Sequence, residues 1–105
     1  HTGAYNHVAG TQKGKQVSVP DATSGFHVYA LDWKADRIEI LADGKSYFQF
    51  DNEGKGKEVW PFDEQFKLIM NIAVGGNWGG RQGVDESVFP QAMEIDYVRV
   101  YERRP

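Results

Sequence analysis

The chain contains no cysteine, which excludes disulfides and thiolate-ligated metals. The absence leaves the compartment open, because a cytosolic protein and a bacterial secreted one fit it equally well. No run of basic residues is present, and 12 Lys and Arg against 15 Asp and Glu give a net charge of −3. That balance argues against a nucleic-acid partner, whose phosphates call for clustered cations. The one basic pair, Arg103-Arg104, reads as a solvated tail. No apolar run approaches the roughly 20 residues of a membrane span, so no membrane partner is expected. The opening residues are polar from His1 onward and do not read as a leader. No segment sustains a helical period, and no internal repeat is visible.

Aromatics and glycine are abundant instead. Phe, Trp and Tyr make up 13% of the 105 residues and glycine contributes 12. The length suits one small domain. Short aromatic and β-branched runs alternate with turn signals, which argues for an all-β sandwich. Phe26 to Trp33 reads as a strand. Arg37 to Leu41 alternates, with Ile38 and Ile40 on one face and Arg37 and Glu39 on the other. Asp43-Gly44 then predicts a tight hairpin, since both central residues of such a turn take positive φ. Ser46 to Phe50 returns with Phe48 and Phe50 on one face. The segments NEGKGK (52–57) and Trp60-Pro61-Phe62-Asp63 read as connectors.

Phe66 to Gln91, FKLIMNIAVGGNWGGRQGVDESVFPQ, is the most informative stretch. As a strand it places Phe66, Leu68, Met70, Ile72 and Val74 on one apolar face, to pack on a second sheet. Asn71 lies in the middle of the other, mixed face, which suits a cleft wall. The strand runs into a loop holding Gly75, Gly76, Gly79, Gly80 and Gly83 around Trp78. Such a loop brings backbone and an indole to the surface, as a sugar cleft requires; a tryptophan tucked into the core is the competing reading. Asp85-Glu86-Ser87 reads as one helical turn, stopped by Pro90. Met93 to Tyr101, MEIDYVRVY, closes the chain as a long strand.

Two features stand apart. Asp96 shares its strand face with Val98 and Val100, where a carboxylate is costly unless it is paired or metal-bound. It is either a backbone-bonded strand-end residue or a calcium ligand, since hard cations take oxygen ligands. The opening His1-Thr2-Gly3-Ala4-Tyr5-Asn6-His7 is dense in hydrogen-bonding side chains and reads like the middle of a domain. No H-x-x-x-H helix accompanies His1 and His7, which argues against a histidine-ligated metal.

The stretch WPFDEQFKLIMNIAVGGNWGGRQGVDESVFPQAMEIDYVRVY closely resembles the C-terminal half of family 16 glycoside hydrolases, nearest the laminarinase (endo-β-1,3-glucanase) branch. HTGAYNH and FHVYALDWKADRIEILADGK fit the same family in the same order. The resemblance implies a concanavalin-like β-jelly-roll sandwich with a concave sugar cleft, of which residues 1–105 form the C-terminal part of a single domain. It also implies a secreted or extracellular hydrolase of β-1,3-glucans. One departure matters. The family's catalytic signature, E-x-D-x-x-E or E-x-D-x-E, is absent: Glu94-Ile95-Asp96 begins like it, but Tyr97, Val98 and Arg99 follow. No catalytic residue is therefore assigned. By resemblance His1 sits beside the catalytic strand, Asn71 faces the cleft, Trp78 is a stacking platform and Gln91 lies near the same rim. Asp96 matches a structural calcium aspartate whose other ligands come from the N-terminal half, so calcium is expected to bind weakly or not at all without that half.

Three readings follow: the C-terminal portion of an endo-β-1,3-glucanase that needs a complementary N-terminal half; a non-catalytic glucan-binding module; and an engineered half-sandwich. The stripe from Phe66 to Val74 leads us to expect either self-association or binding of the complementary half, because each large apolar side chain contributes roughly 1.5–3 kcal/mol when buried.

Overall fold

The computed structural model describes residues 1–104 and falls into two units, one spanning His1–Phe66 and the other beginning at Lys67. In the first unit, β1 (Tyr29–Trp33), β2 (Arg37–Ala42) and β3 (Lys45–Asp51) form an antiparallel sheet in the order β1-β2-β3. The Asp43-Gly44 turn forms as its residue types require, with φ of 48° and 76°. β1 starts three residues later than the aromatic run suggests, although Asp43 N–H still donates to Val28 C=O at 2.8 Å and carries the pairing one step further.

The hairpin contains an irregularity that sets its chemistry. Ala42 pairs with Lys45 and Leu41 with Ser46, but Ile40 then pairs with Phe48, leaving Tyr47 without an opposite residue. An unbroken two-residue hairpin would set Ile40 against Tyr47 and Glu39 against Phe48, with the phenylalanines on the polar face. The extra residue, a β-bulge, shifts the phase by one. Ile40 now faces Phe48 and Ile38 faces Phe50. On β1, Leu31 pairs with Ile40 and Trp33 with Ile38, so one face of the sheet is apolar across all three strands.

The core is the row Trp33, Ile38, Phe50 and the aromatic roof above it. Phe50 meets Tyr5 (centroids 5.8 Å), Trp60 (5.4 Å) and Phe62 (6.4 Å). Phe66 bridges Phe62 and Trp33, each at 5.7 Å, and the Trp33 indole N–H donates to Phe62 C=O at 2.8 Å. Most of these contacts are edge-on or tilted, the arrangement that the ring quadrupoles favour. Trp60 is 2% exposed, and Ile38, Ala42 and Val59 are buried with it. The Trp60-Pro61-Phe62 segment, which the sequence presents as a connector, is thus the roof of the core. The opening segment docks on the same unit: Ala4 N–H donates to Glu58 C=O at 2.7 Å and the Tyr5 hydroxyl to Glu53 at 2.8 Å.

The second unit corrects two expectations. Among the described residues, 66–74 and 93–101 carry no strand pairing, and the regular elements are a short helix α1 (Gly76–Gly79) and a 3-10 turn (Glu86–Val88). A strand is defined by hydrogen bonds to a neighbour, and no neighbour for these segments lies among the described residues. Their alternating side chains remain exposed, with Leu68 at 67% and Ile69 at 78%. The predicted helical turn before Pro90 is present. Asp85 caps it by accepting from the Ser87 N–H at 2.9 Å.

These burial differences predict a contrast in stability. Trp60→Ala should lower the unfolding free energy by about 3–5 kcal/mol, the usual loss for a buried large aromatic. Leu68→Ala should stay within about 0.5 kcal/mol. Urea unfolding followed by circular dichroism distinguishes the two.

Candidate functional site

The glycine loop is built by backbone that only glycine supplies. Gly75 and Gly76 have φ of 69° and 75° and turn the chain into α1. Gly80 closes it, with its N–H donating to Gly76 C=O at 3.0 Å. A Cβ on Gly80 would lie 2.7 Å from that same oxygen, so the turn tolerates no side chain there. The effect is to hold Trp78 outward, 84% exposed. The indole is therefore exposed rather than tucked into the core. Arg81 and Gln82 line a shallow depression with Trp78 and Gly79. Sequence reasoning passed over both residues, although their adjacency to the loop was a usable signal.

The remaining candidates are exposed polar side chains. Asn71 lies on the segment leading into the loop. Gln91 donates its amide N–H to Val88 C=O, which ties it to the end of the 3-10 turn. Asp96 is exposed rather than core-facing. Among the described residues no group of three or more His, Asp or Glu is placed to hold a metal ion. Asp96 belongs to no such group. In the first unit His1 stacks obliquely on His7, with ring centroids 5.1 Å apart and the two Nδ1 atoms at 3.3 Å. The opening residues are ordered by local bonds: Asn6 donates to Gly3 C=O and accepts from the Ala9 N–H, and the Thr11 hydroxyl donates to Ala4 C=O. Within the second unit no hydrogen bond or ring contact joins Asn71, Trp78 and Gln91 to one another among the described residues. Any ligand they share would have to bridge them.

Electrostatic perturbation is concentrated elsewhere. Hydrogen bonds from the Ser87 hydroxyl and amide hold the Asp85 carboxyl below its ordinary value. In the first unit Lys55, then the Tyr5 hydroxyl, does the same for Glu53.

An outward indole on a glycine turn, flanked by amides and an arginine, is an arrangement that presents an apolar face and hydrogen-bonding groups together, as polyhydroxylated rings require. Residues 1–99 match the model of glycosyl hydrolases family 16, and the chain belongs to that family. It is similar to a beta-glucanase of Rhodothermus marinus, with 51% identity over 96% of this chain and 37% of that protein. Among solved structures, the laminarinase from the same organism superposes with a TM-score of 0.83 at 50% identity, over 86% of this chain and 38% of that one. A non-specific endo-β-1,3(4)-glucanase of the family, co-crystallised with 1,3-β-D-cellotriosyl-glucose, gives 0.79 at 52% identity, over 86% and 35%. The fold is therefore part of the family's β-jelly-roll, and the chain spans a little over a third of the length of these relatives.

Because Trp78 is held away from packed neighbours, Trp78→Ala should change the unfolding free energy by no more than about 0.5 kcal/mol. Thermal melts of the two proteins, run side by side, check this.

Proposed function

We propose that these residues are the C-terminal part of a single jelly-roll domain of a retaining endo-β-1,3-glucanase acting on laminarin-type glucans. In this reading they supply sugar-binding surface and not the acid–base pair. The observation that carries the reading is the outward, 84% exposed indole of Trp78 on its glycine turn, in a chain whose family is that of the laminarinases. A pyranose ring stacks its C–H face on such an indole. Asn71 and Gln91 offer amides, and His1 a ring nitrogen, to hydroxyls along the same glucan. Retaining hydrolysis needs two carboxyls about 5–5.5 Å apart. The sequence from Glu94 to Arg99 offers only the beginning of the family's signature. The nucleophile and the acid/base therefore belong to a complementary N-terminal segment.

That complement also accounts for the bare apolar side chains of the second unit. Leu68, Met70, Ile72 and Val74 are exposed, and a facing sheet would cover them. Without it, self-association is the alternative cover. Asp96 in this reading gives one oxygen to a structural calcium whose other ligands lie outside these residues. A secreted or extracellular location accompanies a substrate that is an extracellular polysaccharide. A second reading, a glucan-binding module without turnover, draws on the missing second glutamate.

Reducing-sugar release from laminarin tests the proposal. The purified chain should give none, activity should appear when an N-terminal segment bearing E-x-D-x-x-E is added, and Trp78→Ala should weaken that activity by about 0.5–1.5 kcal/mol of lost aromatic contact. Glucan binding without turnover, even in the presence of the complement, would favour the binding module. Light scattering that shows a clean monomer with cooperative melting would remove the need for a cover. Calorimetric titration with calcium should show no binding to the chain alone and a site that appears on complementation and is lost in Asp96→Asn.

A further inference from the structure

His27 lies between two carboxylates contributed by separate parts of the first unit. Its Nδ1 is 2.8 Å from Asp43 Oδ2, at the β2–β3 turn, and its Nε2 is 3.4 Å from Asp21 Oδ1, in the turn that precedes β1. The second distance is a charge contact rather than a hydrogen bond. The imidazole is 11% exposed, while both carboxylates reach solvent. Each partner is itself fixed by backbone. Asp43 Oδ1 accepts from the Val28 N–H at 2.9 Å, and the Ser24 and Gly25 N–H groups both donate to Asp21 C=O. A Cβ on Gly25 would lie in ordinary van der Waals contact with Asp21 Oδ2 (3.6 Å) and His27 Nε2 (3.8 Å).

We propose that protonated His27 is a pH-sensitive staple that holds the 19–27 segment against the hairpin turn, engaging one carboxylate with each ring nitrogen and releasing the segment when it loses its proton. A neutral imidazole can donate from only one nitrogen, so one of the two carboxylates would then face a lone pair. The imidazolium donates to Asp43 from Nδ1 and sets its charge against Asp21 at Nε2. The charged groups around His27 are Asp21 from the preceding turn and Asp43 from the hairpin, with Lys45 at the start of β3 acting on Asp43. Two carboxylates against one ring leave the local balance negative when the ring is neutral.

The direction of the pH effect follows from these partners. The hydrogen bond to Asp43, with a smaller contribution from Asp21, raises the His27 pKa above its ordinary value of about 6.5. Desolvation opposes the rise and does not cancel it. The stabilisation is therefore complete below about pH 6.5 and is lost as pH rises through the raised value. The bonds from His27 and from Val28 N–H hold Asp43 below its ordinary value of about 3.9, so its share is lost only as pH falls through that lowered value. The staple is closed in the mildly acidic range and opens toward alkaline pH.

Ring nitrogen and carbon NMR of the full chain tests the proposal directly, because His1, His7 and His27 are the only histidines. The expected result is a His27 midpoint above about 6.5, the ordinary value, lowered in Asp43→Asn and, by less, in Asp21→Asn. Protection of the Val28 amide against hydrogen exchange, corrected for the intrinsic rate, should fall between about pH 5 and pH 8.5. In His27→Gln it should not vary with pH. A His27 midpoint at or below about 6.5, or a Val28 protection indifferent to pH in the unaltered chain, would overturn it. Neither of those measurements depends on a variant folding.

Discussion

The first unit depends on the contact between one row of the sheet and one aromatic loop. Trp33, Ile38 and Phe50 lie side by side across three strands, and Trp60, Phe62 and Phe66 close over them. An apolar sheet face contributes to stability only when it is taken out of water. With this roof it gains a dry interior centred on Trp60. The opening segment docks on the same structure through Tyr5, whose ring meets Phe50 and whose hydroxyl reaches Glu53. The second unit has no such roof. Its apolar side chains are as large as those of the first, yet nothing among the described residues covers them. The two halves of the chain thus differ in burial rather than in composition.

The division of labour in the proposed glucanase follows from this difference. The part that is packed on its own makes a scaffold, and the part that presents its side chains outward makes a surface. Trp78 belongs to the second kind. Its orientation comes from glycines at 75, 76 and 80 and not from packing. An indole placed in this way needs no packed neighbour to hold it outward, 84% exposed.

Local chemistry was legible in the sequence, and long-range partnership was not. The Asp43-Gly44 hairpin, the alternation of Ile38 and Ile40 with Phe48 and Phe50, and the capped turn before Pro90 rest on residues a few positions apart, and all three are present. The family was legible too, because the WPF, GGNWGG and MEIDYVRVY motifs are dense and ordered, and the match runs over residues 1–99. The role of Trp60 and Phe62 was hidden, since a roof needs no periodicity and a Pro-containing segment reads as a connector. The strands expected at 66–74 and 93–101 have the right alternation, but a strand also requires a partner, which a pattern in one segment does not reveal. His27 drew no notice because Asp21 and Asp43 flank it at a sequence distance that no motif spans. His1 and Gln91 came from resemblance alone, whereas Asn71 and Asp96 were also marked by the face each occupies in an alternating run.

The unpaired Tyr47 also bears on how this hairpin can change length. A sheet normally punishes the loss of one residue, since every side chain beyond the cut moves to the wrong face. Here one strand already carries a spare position. Excising Tyr47 would leave Ile40 opposite Phe48 and Ile38 opposite Phe50, and excising Phe48 would put Tyr47 in its place with the faces intact. The bulge therefore acts as slack, and a lineage carrying it can shorten this strand by one residue without turning the core inside out.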